Sequence, residues 1–192
     1  MAGLRERNRA RTRADIRAAA MALIADQGYA AITVDQIAAA ADVSPSTFFR
    51  YFPTKEDAVL TDDYDAPMIE LFRGLPADLK PLDAFRVAFR QIFDGMGAEE
   101  REQEATRMRV IIAVPELRDR MLGTMTDTIL MLSGLIAERS SRANDDPAVQ
   151  YLAGAVVGVA MTALVRAAAN PAADPLAMVE EALDALAGGL PL

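Results

Sequence analysis

Cysteine and histidine are both absent from this chain of 192 residues. Without cysteine no disulfide forms, in keeping with a reducing compartment. Without either residue the usual zinc ligand sets are excluded, as are Ser-His-Asp and Cys-His catalytic units. Any enzymatic chemistry would have to rest on carboxylates, lysine, serine or tyrosine. A secretory leader is missing too, since Met1-Ala2-Gly3-Leu4 runs straight into alternating arginines with no apolar stretch behind them. The longest nearly apolar run, Tyr151 to Val165, holds 15 residues, short of the roughly 20 that span a bilayer. No alternating strand pattern, internal repeat or low-complexity segment stands out, and no cofactor is expected. Together these absences predict a soluble cytoplasmic protein with no membrane contact.

What is present is apolar surface in helical register. Hydrophobic residues make up 52% of the chain, enough to bury a sizeable core, and charged residues an ordinary 25%. The net charge of -8 is unevenly spread. Residues 1–17 carry Arg5, Arg7, Arg9, Arg11, Arg13 and Arg17 against only Glu6 and Asp15, whereas residues 61–192 are strongly acidic. A basic end on an acidic body grips phosphate locally while the remainder is repelled. The bland alternative for the arginine run is a solvated tail.

The spacing predicts a first helix over Thr12 to Gln27, with Ile16, Ala19, Ala20, Leu23 and Ile24 on one face. Gly28 follows where a residue of positive φ closes a helix. Thr33 and Gln36 form a capping box for a second helix running to Ala41, with Ile32 and Ile37 as its hydrophobic staple. Asp42 takes the positive-φ turn position, and Val43 plugs the turn. Ser44 as N-cap and Pro45 at the first helical position open a third helix that ends at Phe52, before Pro53. Thr54 caps a fourth helix expected to extend past Tyr64 toward Phe72. Beyond it come Phe85, Phe89 and Phe93 with Met96 on one stripe, a segment from Glu99 to Val114, and a helix from Pro115 to Arg139. An apolar helix from Ala148 to Ala169 follows, then a break at Asn170-Pro171, and a last amphipathic helix opens at Asp174-Pro175. The expected fold is all-α with about nine helices: an N-terminal three-helix head over residues 1–54 and a helical domain over residues 55–192.

Thr33 to Lys55 is a helix-turn-helix. On its third helix Phe48 and Phe52 share a face with Val43 and anchor it, while Ser46, Thr47, Phe49 and Arg50 point the other way, with Tyr51 at the edge. This is what a recognition helix in the DNA major groove requires. Arg50 suits the paired acceptors of guanine, and the Thr47 methyl or the Phe49 ring suits a thymine methyl. Arg50 suits a phosphate equally well, which adds affinity without sequence information. Thr33 and Lys55 bracket the motif at helix N-termini, where backbone N–H groups hold phosphate. The plainer alternative makes Thr33 and Ser44 caps only and Lys55 a solvated amine.

Asp26-Gln27-Gly28-Tyr29, Thr33-Val34-Asp35-Gln36-Ile37-Ala38 and Val43 through Glu56 resemble the N-terminal signature of the TetR/AcrR family of bacterial transcriptional regulators. The match covers roughly residues 12–60. Asp42 stands where that family usually has glycine, Phe49 where it has tyrosine and Tyr51 where it has histidine. The resemblance implies DNA contacts from Thr33, Ser44, Pro45, Ser46, Thr47, Phe49, Arg50, Tyr51 and Lys55. It also implies a homodimer built from the last two helices of each subunit, and a small ligand in the C-terminal domain that resets the spacing of the two heads on a palindromic operator.

The homodimer has independent support. The helix from Ala148 to Ala169 is apolar nearly all round, and Gly154, Gly158 and Thr162 lie at spacings that let helices approach closely. A transmembrane dimer motif is the competing reading. Leu176, Val179 and Leu183 of the last helix are expected at the same interface. For the ligand, Phe85, Phe89, Phe93, Met108, Ile111, Ile112, Met121, Met125 and Ile129 either line an apolar cavity between helices or form plain core. The segment Arg107 to Arg118 resembles a branch of the family associated with acyl-CoA-like effectors, whose phosphates its arginines would suit.

Two rivals stand beside a ligand-responsive repressor. Catalysis would rest on Asp62-Asp63-Tyr64-Asp65 or on Glu99, Glu100, Glu102 and Glu104, and neither cluster has calcium-loop spacing. The other is a small-molecule-binding or architectural protein without ligand-controlled repression, against which Thr47, Arg50 and Lys55 argue.

Overall fold

Punctuation by proline, glycine and capping side chains cuts the chain into ten α-helices and one 3-10 turn, with no strand among the described residues. A computed structural model describes residues 3–61, 63–170 and 172–190, leaving aside the side chains of residues 4–6. The side chains of Arg5 and Glu6, Asp62 of the first acidic cluster and Pro171 of the expected break lie outside the described residues. The chain forms two compact units, residues 1–62 and 63–192. The division falls later than the expected 54/55, because the helix after Thr54 packs on the first helix and belongs with the head.

In the N-terminal unit, α1 (Leu4–Gln27) starts well before Thr12. The segment ahead of Thr12 is rich in arginine, a good helix former, so nothing stops the helix there. Thr12 is an interior residue whose hydroxyl donates back to the Asn8 carbonyl at 2.9 Å. Gly28 ends α1 at φ +79 and ψ 154, a conformation open essentially to glycine alone. A 3-10 turn (Tyr29–Ala31) leads into α2 (Val34–Ala40), α3 (Pro45–Tyr51) and α4 (Lys55–Leu60). Both halves of the Thr33–Gln36 capping box are formed, and Ile32 and Ile37 are buried. Asp42 sits at φ +53 in the turn between α2 and α3. Ile16, Ala20, Ile37, Phe48, Phe52 and Val59 are each 0–1% exposed and make the core of this unit.

The expected helix from Thr54 to Phe72 is two helices, α4 and α5 (Asp65–Gly74), with Thr61 extended between them. Pro67 is the physical reason. It lacks an N–H and its ring clashes with the carbonyl four residues back, so a helix tolerates it only in the first turn. A new start at Asp65 puts it there, and the count rises from nine to ten.

The C-terminal unit contains α5, α6 (Pro81–Gly95), α7 (Ala98–Ala113), α8 (Pro115–Ser140), α9 (Pro147–Ala168) and α10 (Pro175–Ala187). Four of these helices open with proline at the first helical position, and Asp146 and Asp174 accept N-terminal amides of α9 and α10. The main core joins Phe72, Ala84, Ala88, Leu135, Ala153 and Leu183, with others from α8 to α10. Two turns of α6 are tied to α10, since Arg86 bonds Asp184 and Arg90 bonds Glu180. Arg139, near the end of α8, donates to the carbonyls of Phe72 at 2.6 Å, Leu75 at 3.0 Å and Pro76 at 2.6 Å, and lies over the Phe72 ring. One guanidinium thus satisfies the open C-terminal end of α5. By length and composition α9 could cross a membrane. One side of it (Val149, Ala153, Val156, Ala163 and Ala167) is buried in the core of this unit, and 28% of its most apolar window is buried in all.

Candidate nucleic-acid interface and effector domain

The reading helix α3 presents one face to its own core and the other to solvent. Phe48 is fully buried, its ring meeting Phe52 at 6.0 Å and Phe49 edge-to-face at 5.6 Å. Burying a ring of this size contributes roughly 1.5–3 kcal/mol, which fixes the orientation of so short a helix. The guanidinium of Arg13 on α1 lies 5.4 Å over the Phe52 ring and secures the far end.

On the solvent side, Phe49 is 54% exposed, and Pro45, Ser46 and Arg50 are exposed as well, with Thr47 half-buried beside them. Together they form a surface of one phenyl ring, hydroxyls and a guanidinium, chemistry able to meet base edges. Arg50 is steadied by Tyr51, whose half-buried ring it covers at 5.3 Å. Ser44 is chiefly a cap: its Oγ accepts the Thr47 amide at 3.1 Å and its hydroxyl donates to Thr47 Oγ1 at 3.0 Å. Ser46 Oγ lies 2.9 Å from Ser44 Oγ.

Thr33 is exposed, but Gln36 Oε1 takes both its amide at 2.8 Å and its hydroxyl at 3.1 Å. Lys55 is not a solvated amine. Its Nζ donates to the carbonyls of Ile32 at 3.2 Å and Tyr29 at 3.3 Å and lies 4.3 Å over the Tyr29 ring. Tyr29 in turn donates its hydroxyl to Glu56. Burial by itself would raise the Glu56 carboxyl; the hydrogen bonds from Tyr29, its own backbone and Thr54, with the Lys55 charge, outweigh it and hold the group below its ordinary value. This Tyr29–Lys55–Glu56 knot links the 3-10 turn after α1 to α4, and it had no counterpart in the sequence reading. The only signal was two charged residues following a capped Thr54.

In the C-terminal unit the predicted effector residues divide. Phe85, Phe89 and Ile129 are half-buried against the main core, while Phe93 is buried in a smaller cluster with Met96 and Leu176. Ile111 and Ile112 are buried, and Met108, Met121 and Met125 are half-buried. Cavities of about 280 and 530 Å³ open elsewhere, the first between α9 and α10 and the second over α5 and α6 near Leu71 and Gln91. The arginines expected beside a phosphate are already engaged. Arg107, 2% exposed, grips Glu104 with two bonds of 2.9 and 2.6 Å. Arg109 donates to Glu102 and to the Ala173 carbonyl, and Arg118 to the Ile112 carbonyl. The acids of the second cluster therefore serve as structural partners, and Glu100 accepts from the hydroxyl of Tyr64 at 3.1 Å.

Residues 16–60 match the family described as bacterial regulatory proteins, tetR family, and residues 79–191 match the MftR C-terminal domain. The chain belongs to the TetR family of transcriptional regulators. It is 34% identical over 151 residues to the HTH-type transcriptional regulator TcmR of Streptomyces glaucescens, covering 75% of this chain and 67% of that one. It is 29% identical to the putative mycofactocin biosynthesis transcriptional regulator MftR of Mycobacterium tuberculosis, covering 82% and 80%. Among solved structures, FadR of Thermus thermophilus, a TetR-family repressor crystallised with lauroyl-CoA, shares 28% identity and superposes with a TM-score of 0.55 over 94% of this chain and 95% of that one. The regulator thus joins a TetR-type helix-turn-helix head to an MftR-type C-terminal domain.

Leu176, Val179 and Leu183, assigned to the dimer interface, are 9%, 4% and 1% exposed within a single chain. They form the apolar stripe by which α10 packs within the chain. Gly158 and Thr162 are exposed and Gly154 half-buried on the outer side of α9.

Proposed function

We propose that this regulator is a homodimeric cytoplasmic repressor that holds a palindromic operator with two α3 helices and lets go when a small hydrophobic or acyl-CoA-like effector enters the C-terminal domain. The observation that carries the reading is the outward face of α3. Ser46, Phe49 and Arg50 stand open to solvent on a helix whose inner side is locked by Phe48 and Phe52, and no packing within the head accounts for them. Tyr51 and Thr33 flank that face and serve as phosphate contacts beside it. Lys55 acts mainly by holding α4 in place, with its backbone N–H toward the nucleic acid.

The homodimer is supported by α9. A Cβ built on Gly154 or Gly158 meets no atom within 4 Å, so nothing inside one chain requires glycine at either position. A second helix lying close across them does. The effector reading draws on the likeness to the lauroyl-CoA-bound repressor and on the half-buried Phe85, Phe89, Met108, Met121, Met125 and Ile129, flexible or aromatic side chains able to part around an acyl chain. Since Arg107 is committed to Glu104, an acyl-CoA phosphate would have to find other cations. An effector works only by binding the released conformation better than the DNA-bound one, by a few kcal/mol.

The decisive experiment is a gel-shift series with DNA from upstream of the protein's own gene at stepped salt, followed by acyl-CoAs of increasing chain length. A specific complex that weakens steeply with salt and dissolves on adding one chain-length class is the expected result. Absence of a specific complex on any palindromic sequence would remove the repressor reading.

A further inference from the structure

The groove between α9 and α10 carries one cation and one anion that no described residue pairs with. It is lined by Gly158, Val159, Thr162, Ala163, Met178 and Ala182, with Arg166 and Glu181 among its walls. Both charged residues are exposed, and neither makes a hydrogen bond or ion pair among the described residues. Their neighbours behave differently. Glu180 and Asp184 of α10 turn inward to Arg90 and Arg86, and Asp174 caps its own helix. Arg166 is the single basic residue of α9, and Glu181 the one acid in α10 without such a partner.

We infer that Arg166 and Glu181 are the pair that sets register and partner choice in the homodimer, each Arg166 meeting Glu181 of a second copy of this chain. The inference rests on the homodimer reading above and goes beyond it by naming the residues that discriminate. Three physical points support it. A groove floored by glycine and alanine admits another helix closely enough to desolvate charges on its walls. A two-fold interface is self-complementary, so one unlike pair is made twice, while a shifted register leaves four charges, two from each protomer, without their partners. A like-charge contact across an interface costs several kcal/mol, which makes the pair a selector against other partners as well as a bond.

The symmetry supplies the test. Arg166→Glu gives a protomer acidic at both positions, and Glu181→Arg gives one basic at both. Each variant alone brings two like-charge contacts into its homodimer, and sedimentation velocity is expected to show its dimer dissociation constant raised at least about tenfold. Mixed one to one, they restore both unlike pairs, and a heterodimer of near wild-type affinity is expected. If each variant dimerises as wild type does, the inference is overturned. If each dissociates but the mixture does not recover, the pair lies within one subunit and the inference is again overturned. A wild-type chain that sediments as a monomer removes the homodimer reading itself, a distinguishable outcome. Far-ultraviolet circular dichroism checks folding. Should a charge reversal fail to fold, Arg166→Met, Glu181→Gln and the double variant form a cycle in which zero coupling on dimer affinity overturns the proposal.

Discussion

The ammonium of Lys55 sits 4.3 Å above the ring of Tyr29 while bonding the Tyr29 carbonyl at 3.3 Å, so a single side chain is held by both ends of one residue. This makes Lys55 the clasp between the 3-10 turn after α1 and the start of α4. Lys55→Ala should therefore destabilise the head by about 2 kcal/mol, from a lost cation–π contact and lost charge-assisted bonds to carbonyls. Urea denaturation followed on the head's signal measures it. An unchanged midpoint, with DNA affinity alone reduced, would return Lys55 to the role of a phosphate contact.

Tyr29 also holds the Glu56 carboxyl below its ordinary value of 4.5. A group whose folded pKa is lowered contributes stability that is present above the ordinary value and lost as pH falls through the lowered one. The head is expected to weaken in that acid window. Tyr29→Phe removes the hydroxyl and so shifts the Glu56 titration upward and shrinks the acid-dependent loss. Carboxyl chemical shifts of Glu56 followed by NMR from pH 7 downward report both effects.

Arg50 is exposed and bears on no core residue, so Arg50→Ala should leave the thermal midpoint within about 1 °C while weakening operator binding by about 1–3 kcal/mol. Competition with single-base operator variants separates its two roles. Loss of preference at one base position marks a guanine contact; equal weakening on every sequence marks a phosphate clamp.

Asp42 adopts φ +53, a conformation in which most side chains are strained. Asp42→Gly relieves that strain at the cost of greater freedom in the unfolded chain, and should stabilise the head by up to about 1 kcal/mol. A higher denaturation midpoint with unaltered operator preference is the expected pair of results.

The Arg107–Glu104 pair is nearly sealed, with side chains 3% and 10% exposed. Removing one member strands the other charge, so Arg107→Ala should cost about 3–5 kcal/mol, whereas replacing both by leucine should cost far less. Comparing the two by urea denaturation tests whether this cluster is structural. If Arg107→Ala is stable and loses only effector response, Arg107 is instead part of the effector site.

Legibility followed distance along the chain. Caps, staples and the α2–α3 turn were readable because each depends on residues within one or two turns: Thr33 with Gln36, Ser44 with Thr47, Thr54 with Asp57. The split of the Thr54–Phe72 segment was also written locally, in Pro67, and was overlooked. The partners of Lys55, 23 and 26 residues away, had no local signature. Nor did the four carbonyl bonds of Arg139, which reach back 60 residues or more.

By itself the sequence determined the all-helical class, the helix-turn-helix and the outward face of α3, because propensity, capping and periodicity act over a few residues and their effects are nearly independent of the rest of the fold. Only the tertiary structure decided which charges were already spoken for and which face of α10 was used up. Leu176, Val179 and Leu183 carry the periodicity of a stripe that must be buried, but periodicity says nothing about whether its own subunit or another covers it. In this fold its own subunit does. The groove between α9 and α10 that holds Arg166 and Glu181 stays open in the single chain.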